Sequence, residues 1–192
     1  MTFALATPEQ LDQIRNYLWF YPIDDQTPLQ VLVDDTTHPW SIQVEGHVRL
    51  HKNMSQLPYV FTQVRGDFGA THRDLTTLVR FPRKVGRDLY LGGNQLTDLT
   101  GAPDQVGGSI TLVDNPLSSL VGFPPLVGDR VRITWQRDLP LLRLIQAPMI
   151  VIWDAPDAVE DILNKYAGKG KALMLNCAME LKKAGYVGNA RW

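Results

Sequence analysis

The sequence predicts an α/β solenoid of about five to six short parallel strands, closed by a helical cap at the N-terminus and a two-helix cap at the C-terminus. Two observations carry this. Shifted on itself by 21 residues, the chain aligns Leu57, Leu78, Leu99, Leu120 and Leu141 without a gap. Further columns run in phase: Val64, Val85, Val106 and Val127; Leu75, Leu96 and Leu117; Pro82, Pro103 and Pro124; Gly86, Gly107 and Gly128. Second, the stretch after each glycine alternates, as in Asp88-Leu89-Tyr90-Leu91 and Ser109-Ile110-Thr111-Leu112, the period of a strand with one buried face. A period of this length belongs to the leucine-rich-repeat range, where a unit of one strand and a return segment buries its apolar side only against its neighbours.

Three segments follow: an N-terminal cap over residues 1–45, repeats over 46–153, and a C-terminal helical cap and tail over 154–192. In the cap, Thr7-Pro8-Glu9-Gln10 has the form of a capping box with proline at the first helical position, and Leu11, Ile14, Tyr17 and Leu18 recur at helical spacing. This predicts a helix of about three turns. Residues 29–33 and 40–44 alternate weakly and are expected to give strands that extend the sheet before the first repeat.

Within the repeats, register predicts buried pairs Val48/Leu50, Phe68/Ala70, Leu89/Leu91, Ile110/Leu112 and Val131/Ile133. Asn94 and Asn115 stand where the chain turns off the strand, positions at which a side-chain amide can bond the adjacent backbone. The Leu96/Leu99 and Leu117/Leu120 pairs fill the corner, and the returns are too short for long helices, so turns or 3₁₀ segments are expected there. The edge units are degenerate. The first runs one residue short before Leu57, the second has Arg73 in place of asparagine, and the last has Gln136. The run Met149-Ile150-Val151-Ile152-Trp153 reads as a final strand, with Ile152 one period after Val131. Beyond it, helices are expected over 156–166 and 171–184, the second ended by Gly185 with Tyr186 folding back.

Composition narrows the function. With 192 residues, 44% of them hydrophobic and 20% charged, the chain can bury one sizeable core. Its longest apolar runs, such as 147–153, fall well short of the ~20 residues of a bilayer span, and the start lacks a basic region followed by an apolar one. A cytoplasmic protein without membrane partners is the expectation. The lone Cys177 excludes an intramolecular disulfide framework and a cysteine-based zinc site made by this chain alone.

Charge is polarised. Residues 1–45 carry seven acidic side chains against Arg15, a net of −6, whereas residues 165–192 carry six basic ones against Glu180, a net of +5. Such ends can steer an oppositely charged partner or simply keep the surface solvated.

Catalytic motifs are absent from the sequence. It has no Walker-type loop and no His-Glu-x-x-His pair, and Gly92-Gly93 and Gly107-Gly108 fall at turns that the repeat explains. His47 and His51 lie four apart, but on a strand they read as solvent-facing residues rather than metal ligands. Cys177 falls on the apolar face of a helix, as a buried inert thiol would. Neither an enzyme, a metal nor a cofactor is expected.

The face opposite the buried pairs is more informative. Register gives it three columns: His47, Asp67, Asp88, Ser109, Arg130; Arg49, Gly69, Tyr90, Thr111, Arg132; and His51, Thr71, Gly92, Val113, Thr134. Five strands at about 4.8 Å span roughly 20 Å, room for one helix or loop of a partner. Arg49, Tyr90, Arg130 and Arg132, of types enriched at binding hot spots, are the candidate protein-binding residues on this concave face. The other reading is an ordinary polar surface.

The phrase Gly101-Ala102-Pro103-Asp104-Gln105-Val106-Gly107-Gly108, followed by Asn115 and Leu117, resembles the short leucine-rich repeats of tailed-bacteriophage and bacterial proteins. The segment Asn164-Lys165-Tyr166-Ala167-Gly168-Lys169-Gly170-Lys171 and the ending Gly188-Asn189-Ala190-Arg191-Trp192 resemble the C-terminal extension of phage members. The resemblance covers roughly residues 46–192. It implies a virus-encoded protein acting in a bacterial cytoplasm, a binding module that engages a host or defence protein as inhibitor or adaptor. The alternative is nucleic-acid binding through the basic C-terminal surface of Lys165, Lys169, Lys171, Lys182, Lys183 and Arg191, with Trp192 as a stacking group.

Overall fold

In the computed structural model, which describes residues 2–191, the chain coils as a solenoid whose turns contribute to two seven-stranded sheets. The first sheet stacks the parallel strands His47–Leu50, Phe68–Gly69, Leu89–Tyr90, Ile110–Thr111, Arg130–Thr134 and Met149–Trp153. The second runs along the returns through Ser41–Glu45, Val60–Val64, Lys84–Val85, Gln105–Val106 and Leu126–Val127. All five predicted pairs of inward residues are buried, and the leucine and valine columns join them in one continuous apolar cluster.

The second sheet replaces the bare turns expected of the returns. Its short strands form at the valine column because the glycine that follows lets successive turns stack backbone on backbone. A Cβ at Gly107 would lie 2.1 Å from the carbonyl oxygen of Gly86, and one at Gly128 would lie 1.9 Å from that of Gly107. Only at the last return does a 3₁₀ segment appear, Leu142–Gln146.

Register is 21 residues through the centre, where Phe68 pairs with Leu89, Leu89 with Ile110 and Ile110 with Val131. The first step is shorter, with Val48 opposite Phe68. The last is shorter too: Val131 pairs with Ile150 rather than Ile152, which sits opposite Ile133. The 3₁₀ corner takes fewer residues than a strand-bearing return, and the extrapolated period therefore overshoots.

The asparagines act as predicted. Asn94 donates from Nδ2 to the carbonyls of Ala70 and Leu91, both at 2.8 Å, and its Oδ1 accepts from the N–H groups of Arg73 and Leu75. Asn115 repeats the donor pair on Leu91 and Leu112. Where Arg73 replaces asparagine, its Nε reaches back to the Leu50 carbonyl at 2.9 Å.

Helix α1, Pro8–Arg15, has the predicted capping box but ends sooner than expected. Leu18 does not continue it. Instead Leu18–Tyr21 forms an antiparallel strand on His47–Leu50, extending the first sheet by one strand. The strands Gln30–Asp34 and Ser41–Glu45 exist as predicted, but they extend the second sheet. At the other end, α2 (Asp157–Tyr166) and α3 (Met174–Lys183) form the helical pair, the latter preceded by a 3₁₀ turn at Lys171–Leu173. Gly185, at φ +92°, ends α3, and the Tyr186 N–H returns to the Leu181 carbonyl.

Candidate protein-binding face

The outer face of the first sheet is set by pairings that put one residue of each strand in a row: Trp19, Arg49, Gly69, Tyr90, Thr111, Arg132 and Val151. The candidate residues Arg49, Tyr90 and Arg132 are thus brought together as register predicted. Trp19 and Tyr21 join them from the unexpected antiparallel strand, 48% and 45% exposed. At the opposite end Met149 and Trp153 are exposed on the final strand. The run Leu18-Trp19-Phe20-Tyr21, dense in β-favouring aromatics, was the sequence signal for this strand; helical spacing from Leu11 masked it.

The polar residues of the face are held differently from one another. Asp67 Oδ1 accepts from the Asp88 N–H at 2.9 Å, and Asp88 Oδ1 from the Ser109 N–H at 2.7 Å, so each carboxylate caps the start of the next strand. Ser109 and Val113 are buried and leave the displayed surface. The Ser109 hydroxyl and Arg130 Nε both donate to Asp129 Oδ2 at 2.9 Å, holding the Asp129 carboxyl below its ordinary range, Arg130 first in effect. Arg130 therefore arrives at the face already paired. Among the described residues Arg49 and Arg132 have no ion-pair partner, and they are the cations the face can offer.

Tyr90 donates its hydroxyl to Asp88 Oδ2 at 2.9 Å, which fixes its ring upright. Burial, then this bond, pushes its phenol up to about 12. A cavity of about 430 Å³ opens beside it over Gly69, walled by Tyr21 and Tyr90, with Arg49, His47, Asp67 and Thr71 at its rim. Gly69 leaves this hollow open by lacking a side chain, and a Cβ there would meet nothing closer than Arg49 Cγ at 3.5 Å.

The histidines are engaged separately. His47 Nδ1 lies 3.0 Å from the Asp67 N–H and 2.9 Å from Asp67 Oδ2, whereas His51 Nε2 is bonded to the Arg15 carbonyl at 2.8 Å and its ring stacks on Trp19 at 4.9 Å. Among the described residues no group of three or more His, Cys, Asp or Glu side chains gathers as a metal site. Cys177 is buried in α3, and burial pushes its thiol up to about 11.

Several of the basic C-terminal residues are engaged within the chain. Lys165 Nζ donates to Glu180 Oε1 at 2.6 Å, and Lys169 Nζ to the Lys165 carbonyl. Arg191 is spent on docking the tail, donating to the carbonyls of Gly188 and Asp138 at 3.1 and 2.8 Å. Lys182 and Lys183 stand exposed at the end of α3, and Lys171 lines a groove. Trp192 lies outside the described residues.

No described helix is long and apolar enough to cross a membrane. Comparison with protein-family models, with curated proteins and with solved structures finds no match, and the reading of the face rests on its geometry.

Proposed function

We propose that the chain is a non-catalytic protein-binding module that engages its partner through the outer face of the first sheet. The observation that carries this is the aligned row from Trp19 to Val151. It sets exposed aromatics and two unpaired guanidinium groups on a rigid, continuously hydrogen-bonded sheet. Side chains of these types on a pre-ordered backbone lose little conformational freedom on binding, and they are the residues that dominate interface energetics. The hollow over Gly69 adds a socket for one side chain of the partner.

The resemblance of its motifs to phage repeat proteins suggests a bacterial protein as that partner, engaged in the host cytoplasm by the chain as inhibitor or adaptor. Nucleic-acid binding by the C-terminal residues has less support, because Lys165 and Arg191 are already committed within the chain.

Affinity capture from bacterial lysate with mass spectrometry tests the proposal. The wild-type chain is expected to retain a partner that the Trp19→Ala, Tyr90→Ala, Arg132→Ala variant loses. An unchanged captured set would remove the face from consideration.

A further inference from the structure

A second concavity lies at the corner that leads into the second sheet, and it shares no lining residue with the face described above. It is a groove of about 1070 Å³ that crosses successive turns of the solenoid and ends against the C-terminal cap. One column of the repeat builds its length: Arg80, Gly101, Gly122 and Arg143, each 21 residues from the next. The two central glycines take φ of +91° and +84°, and a Cβ on Gly122 would lie 2.1 Å from the Leu99 carbonyl oxygen, so the middle of the groove has backbone for a floor.

At the ends of that column the repeat carries guanidinium groups. Arg80 keeps the left-handed conformation of the glycine it replaces, with φ of +71°, a costly choice for a bulky side chain. Its Nη1 donates to the carbonyls of Leu57 and Pro58 at 3.0 and 3.3 Å, which anchors the group and leaves its other N–H groups for the groove. Arg143 and Lys171 line the far end and have no ion-pair partner among the described residues. Arg83 also lines the groove, 3.8 Å from Asp104, which is the one acidic residue lining it. Pro103, Pro125 and Met174 add apolar surface between the charged groups.

We infer that this groove binds an extended acidic peptide segment with apolar residues between its carboxylates. The charge of the lining is the argument: Arg80, Arg83, Arg143 and Lys171 line it against the single acid Asp104. Guanidinium groups pair carboxylates through two parallel hydrogen bonds, and the apolar middle of such a segment meets the proline walls. A nucleic-acid strand is the poorer fit. Phe81 and Phe123 are only 5% exposed and offer no stacking platform.

Fluorescence anisotropy of labelled synthetic peptides on the full chain tests this. The probes are an extended peptide with two glutamates around valine and proline, and the same peptide with both glutamates replaced by glutamine. The glutamate peptide is expected to bind at least about tenfold more tightly, because the glutamine peptide keeps the shape and loses the charge. Arg143→Gln with Lys171→Gln should weaken it by about tenfold or more. Arg80→Gly should do the same, and it supplies the residue this backbone conformation favours; if that variant fails to fold, the Arg143/Lys171 pair decides. Equal binding of the two peptides, or indifference to the substitutions, overturns the inference. So does a single-stranded oligonucleotide that binds as tightly as the glutamate peptide and loses affinity with the same substitutions, which would make the groove a phosphate site.

Discussion

Asn164 of α2 closes both backbone groups of Ile150 in the final strand of the first sheet: its Oδ1 accepts the Ile150 N–H at 2.8 Å, and its Nδ2 donates to the Ile150 carbonyl at 2.7 Å. Glu160, one turn earlier, accepts the Ile152 N–H at 2.7 Å. Two side chains thus stand in for the strand that would come next, and an edge able to template another chain is covered. Asn164→Ala with Glu160→Ala is expected to lower stability by about 2 to 4 kcal/mol, the cost of leaving such groups unpaired. It should also increase concentration-dependent association. Thermal unfolding and sedimentation, each compared with wild type, check both effects, and a variant unchanged in both would show that the helix shields the edge without these bonds.

The C-terminal tail repeats the asparagine device from far away in sequence. Asn189 donates from Nδ2 to the carbonyls of Gln136 and Leu139 at 3.0 and 2.9 Å, while its own carbonyl accepts from the Leu141 N–H. Gln136, which replaces the column asparagine, instead reaches the Asn115 carbonyl. Asn189→Ala is therefore expected to destabilise the protein by about 2 kcal/mol. Hydrogen exchange should rise first around Leu141, with the central repeats still protected, and uniform loosening along the chain would contradict a local role for the tail.

Tyr90 provides a pH signature of the candidate face. Burial and the Asp88 carboxylate both favour its neutral form, so the phenol of the folded protein titrates at about 12. Its pKa is raised above the ordinary value of about 10, and the stabilisation is complete below that value and lost as pH rises toward 12. Ultraviolet difference titration against Tyr90→Phe isolates this tyrosine from the others. Asp88→Asn keeps an acceptor for the Ser109 N–H, and should move the titration part of the way down, with the effect of burial remaining. A Tyr90 that titrates like an exposed tyrosine would mean the hydroxyl bond does not hold in solution.

What could be read from the sequence was whatever the repeat imposes many times over. Leu89, Ile110 and Val131 declare their burial because each has equivalents one turn away, and Asn94 and Asn115 share a column for the same reason. Tyr90 and Arg132 were placed on one face by that register alone. Features that occur once were hidden. Leu18 falls on the helical spacing of α1, which hides the strand Leu18–Tyr21 and with it Trp19 beside Arg49. Strands as short as Gln105–Val106 are too brief to show alternation, and only the close approach of Gly86, Gly107 and Gly128 makes a second sheet there. The link between Asn189 and Leu139 spans 50 residues and has no local pattern at all.

Gly69 offers the cleanest way to separate folding from binding. It is the small member of the row between Arg49 and Tyr90, its φ is not positive, and a Cβ placed on it meets nothing closer than 3.5 Å. Gly69→Leu should therefore fold and even gain slightly in strand propensity, by a few tenths of a kcal/mol. The same side chain would fill much of the hollow between Tyr21 and Tyr90. If a partner inserts a side chain there, its affinity is expected to fall at least about tenfold, in line with loss of one well-packed anchor. Unfolding curves and binding isotherms on the same preparation test the two halves of this expectation together. Stable protein with unaltered affinity would move the contact toward the Arg132 and Trp153 end of the face.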